Sequence, residues 1–329
     1  MIRVQNLTKY YGERLAVDDI SFTVGKGEIV GLLGPNGAGK TTTMRIITGF
    51  LMPTRGDVWV ADYNMMDNSL EGRKHIGYLP EAIPLYTDVT VRDYLEFAAR
   101  IRGLDKLRAR ARIDDVVELC HLEEYTDVLI GKLSRGFRQR VGVAQAVIHE
   151  PEVLVLDEPT LGIDPIQVAQ TRQLIKDLGK EHTILLSSHI LPEVSMTCNR
   201  VVIIHEGQII AEDRIENLST IVSGARSIRL EVEGPPDEVT RRLEQIPGVR
   251  QVRYEPPHHL VDCPPDVDLR AQITRAIVQG GWVLLGMETV AMTLEDIFLE
   301  LTTEEYEEEN AAFLEEETGF SGEGRQDER

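Results

Sequence analysis

At 329 residues, 42% hydrophobic and 27% charged, the chain has the composition of a soluble globular protein, long enough for one large domain and a smaller one. Its formal net charge of −20 argues against a general affinity for the phosphate backbone of nucleic acid, so no nucleic-acid partner is expected. That charge is uneven, since Glu304 to Arg329 hold eleven acids and two bases, placing −9 on this tail and −11 on the remainder.

In chain order, "IRVQNLTKYY" and "RLAVDDISFTV" alternate apolar and polar residues around a turn at Gly12, and so predict antiparallel strands. "GEIVGLLG" is a continuous apolar strand that ends in a glycine-rich loop, and "KTTTMRIITGF" follows with helical spacing and a glycine stop at Gly49. "GDVWVADY" and "HIGYLPE" predict two more strands. Residues from about 90 to 150 are helical by pattern, rich in Leu, Arg, Ala and Glu. "EVLVLDE" and "HTILLSS" are near-continuous apolar runs, as buried parallel strands require, with "PIQVAQTRQLIKDLGK" between them as a crossover helix. "RVVIIHEGQIIAED" predicts a hairpin turning at Glu206-Gly207, and the first domain is expected to close at residue 224.

A different pattern runs from residue 225 to 302. "SIRLEVEG", "PDEVTRRLEQI", "GVRQVRYE", "HHLVDC", "DVDLRAQITRAIVQGG" and "WVLLGMETV" read strand, helix, strand, strand, helix, strand. That order is the signature of a ferredoxin-like α+β domain. A short helix, "LEDIFLEL", is expected after it, and residues 303–329 form an acidic tail expected to be disordered. Cys120, Cys198 and Cys263 have no metal-ligand or CxxC spacing and are expected to stay free thiols in a reducing cytosol. No run approaches the roughly 20 apolar residues of a membrane span. Met1 opens onto a strand pattern instead of a secretory leader, so a membrane role is expected to go through a partner.

Two motifs carry chemistry. "GPNGAGKTT", residues 34 to 42, fits G-x-x-x-x-G-K-[ST] between a strand and a helix. The loop of Gly34, Pro35, Asn36, Gly37, Ala38 and Gly39 can curl backbone N–H groups around phosphate oxygens, and the helix N-terminus adds positive potential. Lys40 would reach the β- and γ-phosphates of ATP, Thr41 would ligate Mg²⁺, and Thr42 can hydrogen-bond a nearby phosphate. "VLVLDEP", residues 153 to 159, ends a strand in paired acids, where α/β sheets bind ligands. Asp157 suits Mg²⁺ binding through water, and Glu158 suits the orientation and deprotonation of an attacking water.

With these motifs in order, residues 1 to 220 resemble the ATP-binding subunit of an ABC transporter. "LSRGFRQR" is similar to the family signature LSGGQ, "LGID" to the D-loop, and "SSHIL" places His189 at the switch histidine. The resemblance implies an α/β P-loop NTPase of the ABC ATPase fold. Residues 1–224 would hold a RecA-like core, an antiparallel β subdomain and a helical subdomain at about 90–150. It further implies a head-to-tail homodimer in which each ATP lies between one phosphate loop and the partner's signature. Ser134 and Gly136 would then face the partner's γ-phosphate, Asp164 would lie in the seam, and His189 would contact the γ-phosphate held by its own Lys40. Tyr11 matches the aromatic that stacks on adenine, worth about 1–3 kcal/mol, with Tyr10 as its rival.

Two positions depart from the family pattern. The signature's first glycine is Arg135 and its glutamine is Phe137; Arg135 reads as a surface residue at a helix start. Glu81 stands where most of the family has a glutamine that contacts Mg²⁺ and heads the loop touching the membrane subunit. A carboxylate there can still contact Mg²⁺ but brings negative charge towards the γ-phosphate. "GYLPE" is similar to gliding-motility-associated ATP-binding proteins, and "TLEDIFLELT" to the end of the extra domain of ABC-2-type exporters. The expected protein is an ATPase that works with integral membrane permease subunits at the cytoplasmic face of the membrane and drives export. The helical region from about 90 to 150 would receive the membrane subunit, with Pro84, Leu85 and Tyr86 as contacts. The competing classes are a soluble ABC-type ATPase acting on ribosomes or DNA, and a module using ATP only as a switch. One phosphate loop, no coiled-coil stretch and the acidic charge disfavour the first, and Glu158 disfavours the second.

Overall fold

The computed structural model describes residues 1–215, 226–264 and 268–290; the short helix expected after residue 290 and the acidic tail lie outside them. The chain divides into two compact units, Met1–Ile215 and Glu216–Arg329, and the expected boundary at residue 224 falls outside the described residues.

The first unit opens with the expected hairpin, β1 (Ile2–Tyr11) and β2 (Arg14–Val24), paired so that Tyr11 meets Arg14. β3 (Ile29–Leu33) leads into α1 (Lys40–Ile47), followed by β4 (Arg55–Val60), β5 (Tyr63–Asn64), the short α2 (Ser69–Gly72) and β6 (Ile76–Leu79). Two sheets result from this half and the strands after it: a four-stranded antiparallel sheet, β2-β1-β4-β5, and a six-stranded sheet.

The stretch expected to be helical from about 90 to 150 is three helices: α3 (Val91–Ile101), α4 (Lys106–Leu119) and α5 (Arg135–Val147). Composition alone misses the interruptions, yet each has a local cause. Asp105 caps α4 by accepting from the N–H groups of Leu107 and Arg108, both at 3.0 Å, and Ser134 caps α5. Between α4 and α5 the chain makes two short 3₁₀ turns, Glu123–Tyr125 and Ile130–Lys132.

β7 (Val153–Leu156), α6 (Pro165–Leu178), β8 (Thr183–Ser188), α7 (Leu191–Thr197), β9 (Arg200–His205) and β10 (Gln208–Arg214) complete the unit. The second sheet runs β10-β9-β3-β8-β7-β6, parallel from β9 to β6, with β10 antiparallel at the edge. All residues of β3, β7 and β8 are buried, which explains their unbroken apolar runs. α1 packs between the two sheets: Met44, Ile46 and Ile47 are fully buried in one cluster with Ile2, Val58, Val30 and Val155. Burial of each such side chain is worth about 1.5–3 kcal/mol, so the helix that carries the phosphate loop is held firmly from behind.

In the second unit, β11 (Arg226–Glu233), α8 (Pro236–Glu244), β12 (Gln251–Glu255), β13 (His258–Cys263), α9 (Arg270–Gln279) and β14 (Val283–Val290) follow the expected order. The sheet is antiparallel, β12-β13-β11-β14, over a core that includes Ile228, Leu230, Leu243, Val261 and Ile273. All three cysteines are buried. Among the described residues, no helix is long and apolar enough to cross a membrane.

Candidate functional site

Four neighbouring strands of the parallel sheet, β3, β8, β7 and β6, end at the same edge, and each delivers part of one cavity of about 630 Å³. From β3 the chain enters the glycine-rich loop. Gly39, the residue before α1, has φ 105°, a left-handed conformation that glycine adopts without a Cβ clash. Gly34 is fixed by space instead: a Cβ there would sit 2.1 Å from the carbonyl oxygen of Ile204. Gly34→Ala is therefore expected to lower the melting temperature, through an overpacking cost of about 1–3 kcal/mol, in thermal denaturation. Lys40 is buried, and its Nζ donates to the carbonyl oxygens of Gly34 (2.7 Å) and Pro35 (3.0 Å).

β7 presents the paired acids. Asp157 is fully buried; its Oδ1 accepts from Thr41 Oγ1 (3.2 Å) and Ser187 Oγ (2.7 Å), while Oδ2 has no hydrogen-bond partner among the described residues. Burial raises this carboxyl above the usual carboxylate range, the two hydroxyls oppose that, and the charges of Glu81 and Glu158 add to it. An unpartnered buried carboxylate oxygen beside a threonine hydroxyl is the hard-oxygen set that Mg²⁺ takes, so the residues present fit the ion.

Glu158 is almost completely buried, with Oε1 3.5 Å from Lys40 Nζ and Oε2 3.0 Å from His189 Nδ1. Its backbone is left-handed, φ 49°, which costs on the order of 1–3 kcal/mol for a residue with a Cβ. The Glu158 N–H donates to Ser187 Oγ at 2.9 Å, and that same hydroxyl donates to Asp157. One serine from β8 therefore positions both acids. Its place in "TILLSSH", one residue short of the strand end, is the signal that marks it.

Tyr11, Asn36, Gly37, Gly39, Thr41 and Thr42 line the cavity together with Lys40, Glu81, Glu158 and His189. Tyr11 is 43% exposed, with the ammonium of Lys9 5.4 Å from its ring. Ala38 is buried behind the loop, where its N–H donates to the Pro35 carbonyl (3.3 Å). Arg14, Ala16, Arg45 and Leu161 also line the cavity; sequence reading named none of them as a site residue, although Leu161 opens the "LGID" motif.

Ser134, Gly136 and Asp164 stand apart from this lining. Ser134 Oγ accepts from the Phe137 N–H (3.3 Å), which leaves its own proton free to be donated. Asp164 caps α6, accepting from the N–H groups of Ile166 and Gln167, both at 3.1 Å. Gln167 of α6 packs onto Gly136, where a Cβ would lie 1.3 Å from its Oε1. The guanidinium of Arg135 packs against Gly162 in the same way, a Cβ there lying 2.4 Å from Nη1. Phe137, the other departure from the signature, stacks on Tyr125 with ring centroids 4.0 Å apart.

The model of the family described as ABC transporter matches residues 17–161. The uncharacterized ABC transporter ATP-binding protein YxlF of Bacillus subtilis is 32% identical over 304 residues, 92% of this chain and 99% of that protein. The chain belongs to the ABC transporter ATP-binding proteins. The Nod factor export ATP-binding protein I of Burkholderia pseudomallei is 36% identical, with 92% of this chain and 97% of that protein covered. The bacitracin transport ATP-binding protein BcrA of Bacillus licheniformis is 42% identical over 220 residues, 66% of this chain and 71% of that protein. Among solved structures, an ATP-binding subunit of an ABC transporter superposes with TM-score 0.61 at 31% identity, covering 66% of this chain and 91% of that one. A bacterial ABC transporter cassette solved as a dimer superposes with TM-score 0.60 at 25% identity, covering 65% and 98%. ABC ATP-binding proteins share the α/β P-loop fold seen in residues 1–215. The narrower likeness to gliding-motility-associated proteins rests on "GYLPE" alone.

Proposed function

We propose that this chain is the ATP-hydrolysing motor subunit of an exporter, working as a head-to-tail homodimer on integral membrane subunits at the cytoplasmic face of the membrane. The observation that carries this reading is the split of the site. Lys40, Thr41, Asp157, Glu158, His189 and Glu81 converge on one edge of the sheet, while Ser134, Gly136 and Asp164 stand on other elements, outside the lining of that cavity. A second copy would supply them.

In this reading the phosphate-loop N–H groups and Lys40 bind the β- and γ-phosphates, and Tyr11 takes the adenine. Thr41 and Asp157 would hold Mg²⁺, with Glu81 at the same edge. When bound, the ion neutralises phosphate charge and polarises the γ-phosphoryl group. Glu158 orients a water and accepts its proton, held in place by His189 and by the Ser187 hydroxyl. The loop after Glu81 would pass the state of the site to the membrane subunit. Tyr86 of that loop is half exposed and packs edge-on against Tyr94 and Phe97 of α3, with centroids 6.1 and 5.5 Å away, so a partner that moves α3 also moves the loop.

One relative's printed name, Nod factor export, favours export as the direction, and the names leave the cargo of this chain open. Purification of the tagged full-length chain from detergent-solubilised membranes of its own cells is the test. We expect a polytopic membrane protein in stoichiometric amount and ATPase activity in the complex. A chain found wholly in the soluble fraction, with ATPase activity stimulated by ribosomes or DNA, would overturn the transporter reading in favour of a soluble mechanical ATPase.

A further inference from the structure

The acids at the sheet edge outnumber what Lys40 can balance. β6 and β7 pair in parallel with Leu79 opposite Leu156, and the Asp157 N–H donates to the Leu79 carbonyl at 2.8 Å. Glu81 follows Leu79 by two residues, as Glu158 follows Leu156, so both leave the sheet at the same edge. Glu81, Asp157 and Glu158 therefore crowd the tips of adjacent strands, and both glutamates line the phosphate cavity. Lys40 is already engaged by Glu158 at 3.5 Å and by two loop carbonyls. Arg14 enters the cavity from the start of β2, beside Tyr11.

The remaining cation of the lining is Arg45. It sits four residues beyond Thr41 on α1, hence on the same helix face one turn further on. It lines the same cavity as Glu81, which follows Tyr78 of β6 by three positions. Burial pushes the Tyr78 phenol up, the charges of Asp157 and Glu81 add to that, and Arg45 opposes it.

We propose that Arg45 is a positioning residue for the ATP site: from the wall of the cavity it offsets the charge that Glu81 brings to the γ-phosphate side. The inference rests on reading this cavity as the ATP site. Without Arg45, three carboxylates would face a polyanion with an engaged Lys40 and, beside Tyr11, Arg14 as the other basic side chains of the lining. With a neutral side chain at position 81, Arg45 would have less to offset.

A double-mutant cycle on the full-length chain separates this from a merely structural role. Binding of the magnesium complex of AMPPNP, a non-hydrolysable ATP analogue, is measured calorimetrically at low and high NaCl for wild type, Arg45→Met, Glu81→Gln and the double variant. Arg45→Met is expected to weaken binding about threefold to tenfold at low salt, and less at high salt as the charges are screened. In the Glu81→Gln background the same change is expected to cost less than about twofold, and Arg45→Lys is expected to restore most of the wild-type affinity. Arg45→Gln replaces Arg45→Met if the latter does not fold. Equal losses in both backgrounds, or a loss indifferent to salt, would overturn the inference while leaving the ATP site intact. A folded wild-type chain that binds no nucleotide would overturn the reading of the cavity, and the inference with it.

Discussion

Glu158→Gln is expected to cut steady-state ATP hydrolysis by at least about 100-fold while ATP stays bound. Glutamine keeps the volume and one carbonyl oxygen, so the contact from His189 Nδ1 (3.0 Å) can persist through the acceptor that remains. The backbone N–H bond to Ser187 does not depend on the side chain, so the left-handed conformation at φ 49° is retained. What is lost is the group that takes a proton from water. Removing one carboxylate beside Lys40 also makes the cavity less repulsive to phosphate, so the affinity for ATP is expected to rise. Phosphate release, radiolabelled ATP retained on the protein, and molar mass by light scattering read the three consequences: slow turnover, trapped nucleotide and a stable dimer. Turnover at the wild-type rate would remove Glu158 from the role of base.

Much of this was legible in the sequence, and for a physical reason. A buried parallel strand must be apolar throughout, so β3, β7 and β8 announce themselves, and whatever polar residue follows each one stands at the sheet edge. That logic placed the phosphate loop, the Asp157-Glu158 pair and His189 correctly in one row. The segmentation of 90–150 was not legible from composition, since a cap such as Asp105 works through one carboxylate oxygen accepting from two backbone N–H groups and leaves the helix-forming content unchanged. Arg45 was missed because its relevance depends on a helix face and a strand register that meet only in three dimensions. Phe137 and Arg135 look like defects in a motif when read as letters. In the fold, each is packed against a partner, Tyr125 and Gly162 respectively.

Lys40→Ala is expected to weaken ATP binding by at least about 30-fold, the lower bound for removing one partner from a desolvated charge contact. The side chain is 6% exposed and Glu158 7%, so their interaction at 3.5 Å is poorly screened by solvent. Alanine would remove the ammonium that meets phosphate and would also take from Glu158 its lysine counter-charge, leaving the hydrogen bond with the His189 ring. Two separable effects follow. The nucleotide-free protein is expected to melt at a lower temperature, because a buried carboxylate has lost its counter-charge. ATP affinity is expected to fall further than that loss of stability explains, because the γ-phosphate would then face Glu158 and Asp157 with their charge less offset. Glu158→Gln in the Lys40→Ala background distinguishes the two: it should recover much of the melting temperature by removing the unpaired charge, yet little of the hydrolysis. Equilibrium binding and thermal denaturation of the four proteins complete the cycle, and unchanged ATP affinity in Lys40→Ala would contradict the assignment of the phosphate loop.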